Sequence, residues 1–168
     1  MSTVLFTQRA AGLLSALAAA AGDGLETGGI LLGTDDGLAE PARVRHCGGP
    51  GPAAVRRRNY FRRDLAYAAS LAAEAAKADG SVWIGEWHTH NIDMPEPSGR
   101  DLRSYQALLD DPELAFARIL SIIVLADAES GWQVPQLHAW SFTGTVLRQL
   151  PIEIESADLS ACSERDNS

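Results

Sequence analysis

The sequence predicts an α+β fold, with a mixed central β-sheet flanked by helices. Three observations lead to it. Short apolar runs bounded by glycine or turn residues have the length of buried strands. Between some of them lie alanine-rich stretches with the spacing and caps of helices. The two kinds do not alternate in the regular strand-helix-strand order of a doubly wound sheet.

Each element follows from local chemistry. Residues 7–21 are rich in Ala and Leu, with Leu13, Leu14 and Leu17 at helical spacing, and Gly22-Asp23-Gly24 ends the helix. Residues 28–33, Gly-Gly-Ile-Leu-Leu-Gly, read as a buried strand. Thr34-Asp35-Asp36-Gly37 is a turn, and residues 38–46 return as a second strand that Pro41 weakens. Residues 48–58 read as loop and 59–63 as a short strand. A helix is predicted over 64–78, with Asp64 able to cap its start and Asp79-Gly80 stopping it. Residues 81–90 supply β-formers for a central strand. A loop containing Pro95 and Pro97 leads to a helix from Ser98 to about Leu109. Residues 119–126, 132–142 and 146–154 are predicted as three further strands. No internal repeat is visible. One domain is expected over 1–155, followed by an acidic, disordered tail over 156–168.

At 168 residues the chain can bury roughly two-thirds of its unfolded surface, so it needs no disulfide or metal to fold. Any metal is then free to be catalytic. A net charge of −8 argues against nucleic-acid binding, which usually shows a basic footprint. Arg56, Arg57, Arg58, Arg62 and Arg63 form a local exception. They read either as a solvated loop and strand edge or as a docking patch for an acidic partner or a carboxylate tail. Cys47 and Cys162 lie far apart without metal-ligand spacing, which favours a reducing cytosol over a disulfide framework. Residues 10–21 follow Arg9 in a way that superficially resembles a signal peptide. Gly12 and Ser15 interrupt the run, and it is too short to span a bilayer, so an N-terminal helix is expected instead.

The chemistry concentrates in Gly85-Glu86-Trp87-His88-Thr89-His90. Residues two apart on a strand share a face, so His88 and His90 can both reach one ion. Ser98 and Asp101 share one face of the first turn of the following helix. Asp101 there can supply a third ligand, and two His plus one Asp leave the fourth tetrahedral position open, as in catalytic zinc sites. Ser-x-x-Asp at a helix start is equally a capping arrangement. Glu26, at the mouth of the first apolar strand, is either an ordinary strand-edge carboxylate or the base that such a site requires.

The pattern of Glu26, His88, His90, Ser98 and Asp101 resembles the signature of the JAMM (MPN+) metalloproteases. The flanking Glu-Thr-Gly-Gly-Ile-Leu-Leu-Gly at 26–33 and Gly-Glu-Trp-His-Thr-His at 85–90 look like the prokaryotic JAB domains. The likeness runs from about Leu13 to about Phe142. It implies a cytidine-deaminase-like MPN/JAB fold and one Zn2+ per chain held by His88, His90 and Asp101. It also implies Glu26 as general base and acid, and Ser98 as donor to the oxyanion. The position after the second histidine, often proline in that family, is Asn91, which should alter loop geometry rather than abolish activity.

The resemblance further implies a cytoplasmic isopeptidase or peptidase that cleaves after the C-terminal tail of a ubiquitin-like or similarly conjugated protein. E1/E2-like conjugation enzymes would be its partners, as in bacterial anti-phage (CBASS-type) systems, with neither nucleic acid nor membrane involved. The 91–97 loop and the arginine-rich stretch are the expected walls of the tail channel. Two alternatives remain: a processing protease that exposes the diglycine of a sulfur-carrier protein, and a non-catalytic MPN scaffold.

Overall fold

The computed structural model describes residues 2–20, 22–37 and 41–156. Its strands and helices are β1 (Val4–Phe6), α1 (Gln8–Ala19), β2 (Gly28–Thr34), β3 (Ala42–Cys47), β4 (Val55–Arg57), β5 (Tyr60–Arg62), α2 (Leu65–Asp79), β6 (Val82–Thr89), α3 (Gly99–Leu109), β7 (Ile119–Asp127), β8 (Gly131–Phe142), β9 (Leu147–Leu150) and β10 (Ile152–Ile154). Eight strands form one mixed sheet in the order β10-β1-β3-β2-β6-β7-β8-β9, and β4 and β5 form a separate hairpin. The predicted α+β architecture, a mixed sheet flanked by helices, is the one observed.

Capping chemistry sets the helix starts. Thr7 Oγ1 accepts the Ala10 N–H at 3.1 Å ahead of α1, and Asp64 Oδ1 accepts the Tyr67 N–H at 3.1 Å ahead of α2. Gly80 ends α2 in the left-handed region at φ 75°, where a side chain would be strained.

The sheet has two apolar faces. Against one, α1 buries Ala10, Leu14 and Ala18 beside Leu31, Val44, Trp87 and Ile122. Against the other, α2 covers Ile30 and Leu32, and Tyr105 of α3 packs with Ile119 and Phe142. Burial on both faces explains why β2 and β7 read as continuous apolar runs rather than alternating ones.

The structure adds one strand and corrects three expectations. Val4–Phe6 is a strand, parallel to both β3 and β10, although its three residues carry no period to read. The 48–58 stretch is not all loop, because Val55–Arg57 pairs antiparallel with Tyr60–Arg62. The second strand starts at Ala42, later than expected, and residues 38–40 of that reading lie outside the described residues. The single strand expected over 146–154 is two strands. Leu147–Leu150 pairs with β8, and after Pro151 the chain pairs with β1 at the opposite edge. Proline has no N–H to continue a ladder, but its carbonyl accepts the Val4 N–H at 2.9 Å. The sheet's two edges are thus one residue apart in sequence. The tail expected from residue 156, with Cys162, lies outside the described residues beyond Ser156. No helix among the described residues is long and apolar enough to cross a membrane.

Candidate metal centre

Register brings the candidate residues together. Gly28 of β2 pairs with His88 of β6. One step further along, the Thr89 N–H donates to the Thr27 carbonyl at 2.8 Å, and the Thr27 N–H donates to Thr89 Oγ1 at 2.9 Å. Glu26 and His90 lie one residue beyond this pairing, near enough for the His90 charge to act on the Glu26 carboxyl. His88 and His90, two apart, share one face. The approach is close enough to require glycine. A Cβ at Gly28 would lie 2.3 Å from the Trp87 carbonyl oxygen and 2.8 Å from both His88 Cβ and the Phe61 ring.

Asp101 arrives from α3. Tyr105, one turn below it, is buried, and its hydroxyl shares a 2.7 Å hydrogen bond with Ser121 of β7. That bond docks the first turn of α3 over the end of β6. Ser98 and Asp101 form the full capping box: the Asp101 N–H donates to Ser98 Oγ at 3.2 Å, and the Ser98 N–H donates to Asp101 Oδ2 at 2.6 Å. The same Oδ2 lies 3.2 Å from His88 Nε2 and 3.5 Å from His90 Nε2. The cap and ligand readings of Ser-x-x-Asp are thus compatible in one geometry.

The two Nε2 atoms are 3.0 Å apart. Together, His88, His90 and Asp101 could hold a metal ion. Their separations of 3.0, 3.2 and 3.5 Å bracket the edge of roughly 3.4 Å expected for a tetrahedron with zinc–ligand bonds near 2.1 Å. His90 Nδ1 lies 2.7 Å from the Met94 carbonyl, which can only accept. The Nδ1 therefore carries the hydrogen, and in the ring's neutral form it is Nε2 that offers a lone pair to the shared point. Residues and chemistry both fit a zinc ion.

Electrostatics set the protonation states. Burial pushes the Asp101 carboxyl up, but the two imidazoles and the Ser98 hydrogen bond outweigh it and hold the group well below the usual carboxylate range. Burial pushes His90 down, and the Asp101 carboxylate, the Met94 carbonyl and Glu26 together reverse the direction. Burial raises Glu26 to about 7; the Asp101 charge adds to this, and His90 and Arg100 oppose it. Glu26, His90, Ser98 and Asp101 line one cleft of about 330 Å³. Tyr60 and Phe61 from the hairpin and Ile92 and Met94 from the following loop give it an apolar lining.

Three groups singled out in the sequence for other reasons turn out to position the site's surroundings. Arg56 donates to the Glu26 carbonyl at 3.1 Å and forms a fork on Asp23 at 2.9 and 3.0 Å, which clamps the segment carrying Glu26. Asn91 Nδ2 donates to the carbonyls of Gly24 at 2.9 Å and Arg58 at 2.7 Å, joining that segment to the hairpin. Arg63 pairs with the buried Glu86 and lies over the Trp83 ring at 5.5 Å. The arginine cluster is therefore divided: Arg56 and Arg63 are internal clamps, while Arg57, Arg58 and Arg62 are exposed.

Residues 9–143 match the family described as prokaryotic homologs of the JAB domain. No curated protein matches the chain. Among solved structures, a protein of Desulfitobacterium hafniense is similar at a TM-score of 0.66 and 19% identity, covering 92% of this chain and 94% of that one. A protein of Salinibacter ruber is similar at 0.55 and 23%, covering 94% of both chains. At such identities the likeness concerns the fold.

Proposed function

The chain belongs to the family of prokaryotic JAB-domain homologs, and from that premise we propose that it is a zinc-dependent peptidase or isopeptidase. Its substrate would be a ubiquitin-like or similarly conjugated protein, cleaved after an extended C-terminal tail. One observation carries the reading. Two imidazoles and a carboxylate converge on a single point, and the Glu26 carboxyl lines the same cleft as His90 and Asp101.

Zinc, when bound, supplies Lewis acidity and brings the pKa of coordinated water to about 7. The chain's own residues do the rest. His88, His90 and Asp101 would hold the ion. Glu26, in the same cleft as His90 and Asp101, would take a proton from the attacking water and return it to the leaving amine. Ser98 Oγ accepts from the Asp101 N–H, so its own hydrogen remains to donate to the oxyanion. The narrow cleft favours an extended chain over a folded surface.

The test pairs purified protein with fusions that end in diglycine or other candidate tails. Zinc near one equivalent per chain and cleavage lost with chelator or in Glu26→Ala are the expected results. A protein that stays zinc-free after saturation with the metal would instead fit a scaffold.

A further inference from the structure

We propose that the cleft continues into a guanidinium-lined groove that binds an acidic, extended segment of the protein substrate through its Asp and Glu side chains. The proposal deepens the peptidase reading and rests on it for the word substrate.

Arg58, Arg100 and Arg103 line the cleft itself. Arg57 and Arg62, again with Arg100, line an adjoining recess, and Asn59 and Tyr60 border both. The two hollows therefore adjoin one another at the β4–β5 hairpin. All five arginines are exposed, and among the described residues none of them forms an ion pair. Elsewhere Arg43, Arg56, Arg63 and Arg118 each pair with a carboxylate, while Arg9, Arg45 and Arg148 are dispersed and, among the described residues, form no ion pair. Arg100 also lies over the Tyr60 ring at 5.0 Å, which holds it at the junction of the two hollows.

The charge is segregated. Five of the chain's 14 basic residues gather here on a protein whose net charge is −8. The carboxylates lining the groove are Glu26 and Asp101, both at its metal end, while Asp93 of the nearby loop lines a different recess. Guanidinium forks match carboxylates in pairs of hydrogen bonds. A free C-terminus offers one carboxylate and would engage one or two of these groups. Five dispersed guanidiniums call for several carboxylates along a chain. Phosphates would also fit the forks, but the acidic remainder of the surface repels a long polyanion. A short acidic peptide segment fits best.

The test is binding without turnover. The full-length, metal-free Glu26→Gln protein is titrated into a fluorescein-labelled peptide of alternating Gly and Glu, and into its Gly-Gln counterpart, with anisotropy as the readout. The Glu peptide should bind about tenfold more tightly at low salt, and that preference should largely vanish at about 0.5 M salt. Adding Arg57→Gln, Arg62→Gln and Arg103→Gln should erase it while melting stays cooperative. A charge-reversed Arg62→Glu/Arg103→Glu protein should instead prefer a Gly-Lys peptide. Equal binding of the Glu and Gln peptides, discrimination that survives the arginine changes, or tighter arginine-dependent binding of oligothymidylate would each overturn the proposal. The measurement needs neither metal nor cleavage. Failure of the tail-fusion assay alongside this preference therefore removes the peptidase reading alone.

Discussion

Asp101 Oδ2 accepts the Ser98 N–H while facing both imidazoles, so one oxygen belongs to a helix cap and to a ligand set at once. Ser98 is similarly shared, and the magnitudes separate its roles. Losing a capping oxygen costs about 1 kcal/mol, whereas losing a donor aimed at an oxyanion costs roughly 3–4 kcal/mol. Ser98→Ala should therefore keep its zinc and melt only a few degrees lower, yet turn over about two to three orders of magnitude more slowly. A merely severalfold loss would leave Ser98 as a cap alone. Glu26 offers a readout that does not depend on catalysis. Its folded-state pKa, about 7, exceeds the ordinary 4.5, so the folded chain holds the proton more tightly. Stability from this group is full below about 4.5 and is lost as pH rises toward 7. In chelated protein, melting temperature should fall across that window, and Glu26→Gln should flatten the slope. With zinc restored, Glu26→Gln should keep the metal and nearly abolish turnover. Asn91 gives a third check, because both its bonds need an amide donor. Asn91→Asp should weaken kcat/KM more than Asn91→Ala, since a carboxylate would face two carbonyl oxygens; the reverse order would show that the amide is not the fastening. His88, His90, Ser98 and Asp101 are legible in the sequence because they crowd one short stretch at spacings with strand and helix meaning. The roles of Arg56 and Asn91 are not, because they act on backbone carbonyls that carry no residue signature.

At the scale of elements, β2 and β6 must approach without a side chain between them, and Gly28 meets that demand beside the site. Gly28→Ala forces its Cβ against the Trp87 carbonyl and against His88, neither of which is a flexible chain end. A cost of about 2–3 kcal/mol is expected, which for a chain of this size lowers the melting temperature by roughly 5–10 °C. Zinc affinity should fall as well, because His88 is pushed; a melt within one degree of the parent with unchanged zinc affinity would show that the strands can part at no cost. The same pairing explains how far elements could be read. Long runs with strong caps or glycine boundaries, such as α2 and β7, are legible within one or two residues. β1 and β4 are three residues each and exist because partners supply their hydrogen bonds, which no local pattern encodes. Register is the deeper omission. Bringing Glu26 near His90 depends on how β2 slides along β6, and only tertiary packing decides that.

Across the whole molecule, the metal candidates occupy one end of the sheet, and the largest core lies elsewhere. That core joins α1 to seven strands through residues such as Phe6, Leu14, Leu31, Val44, Ile84, Ile122, Ala139 and Leu150, and none of the three candidate ligands takes part in it. A structural zinc site behaves differently, because its ion holds together a chain that cannot otherwise bury enough surface. Chelation should accordingly leave far-ultraviolet circular dichroism and cooperative melting intact. Readdition of zinc at about 100 times its Kd should stabilise the fold by about 2.7 kcal/mol, or roughly 5–11 °C in melting temperature. Cobalt or cadmium should act in the same direction if the three ligands are those assigned, and His88→Ala should abolish the shift without unfolding the chain. Should the chelated protein lose its secondary structure, the metal would be holding the fold together, and the division of labour argued here between an α1-centred core and a separate ligand-bearing sheet end would be wrong.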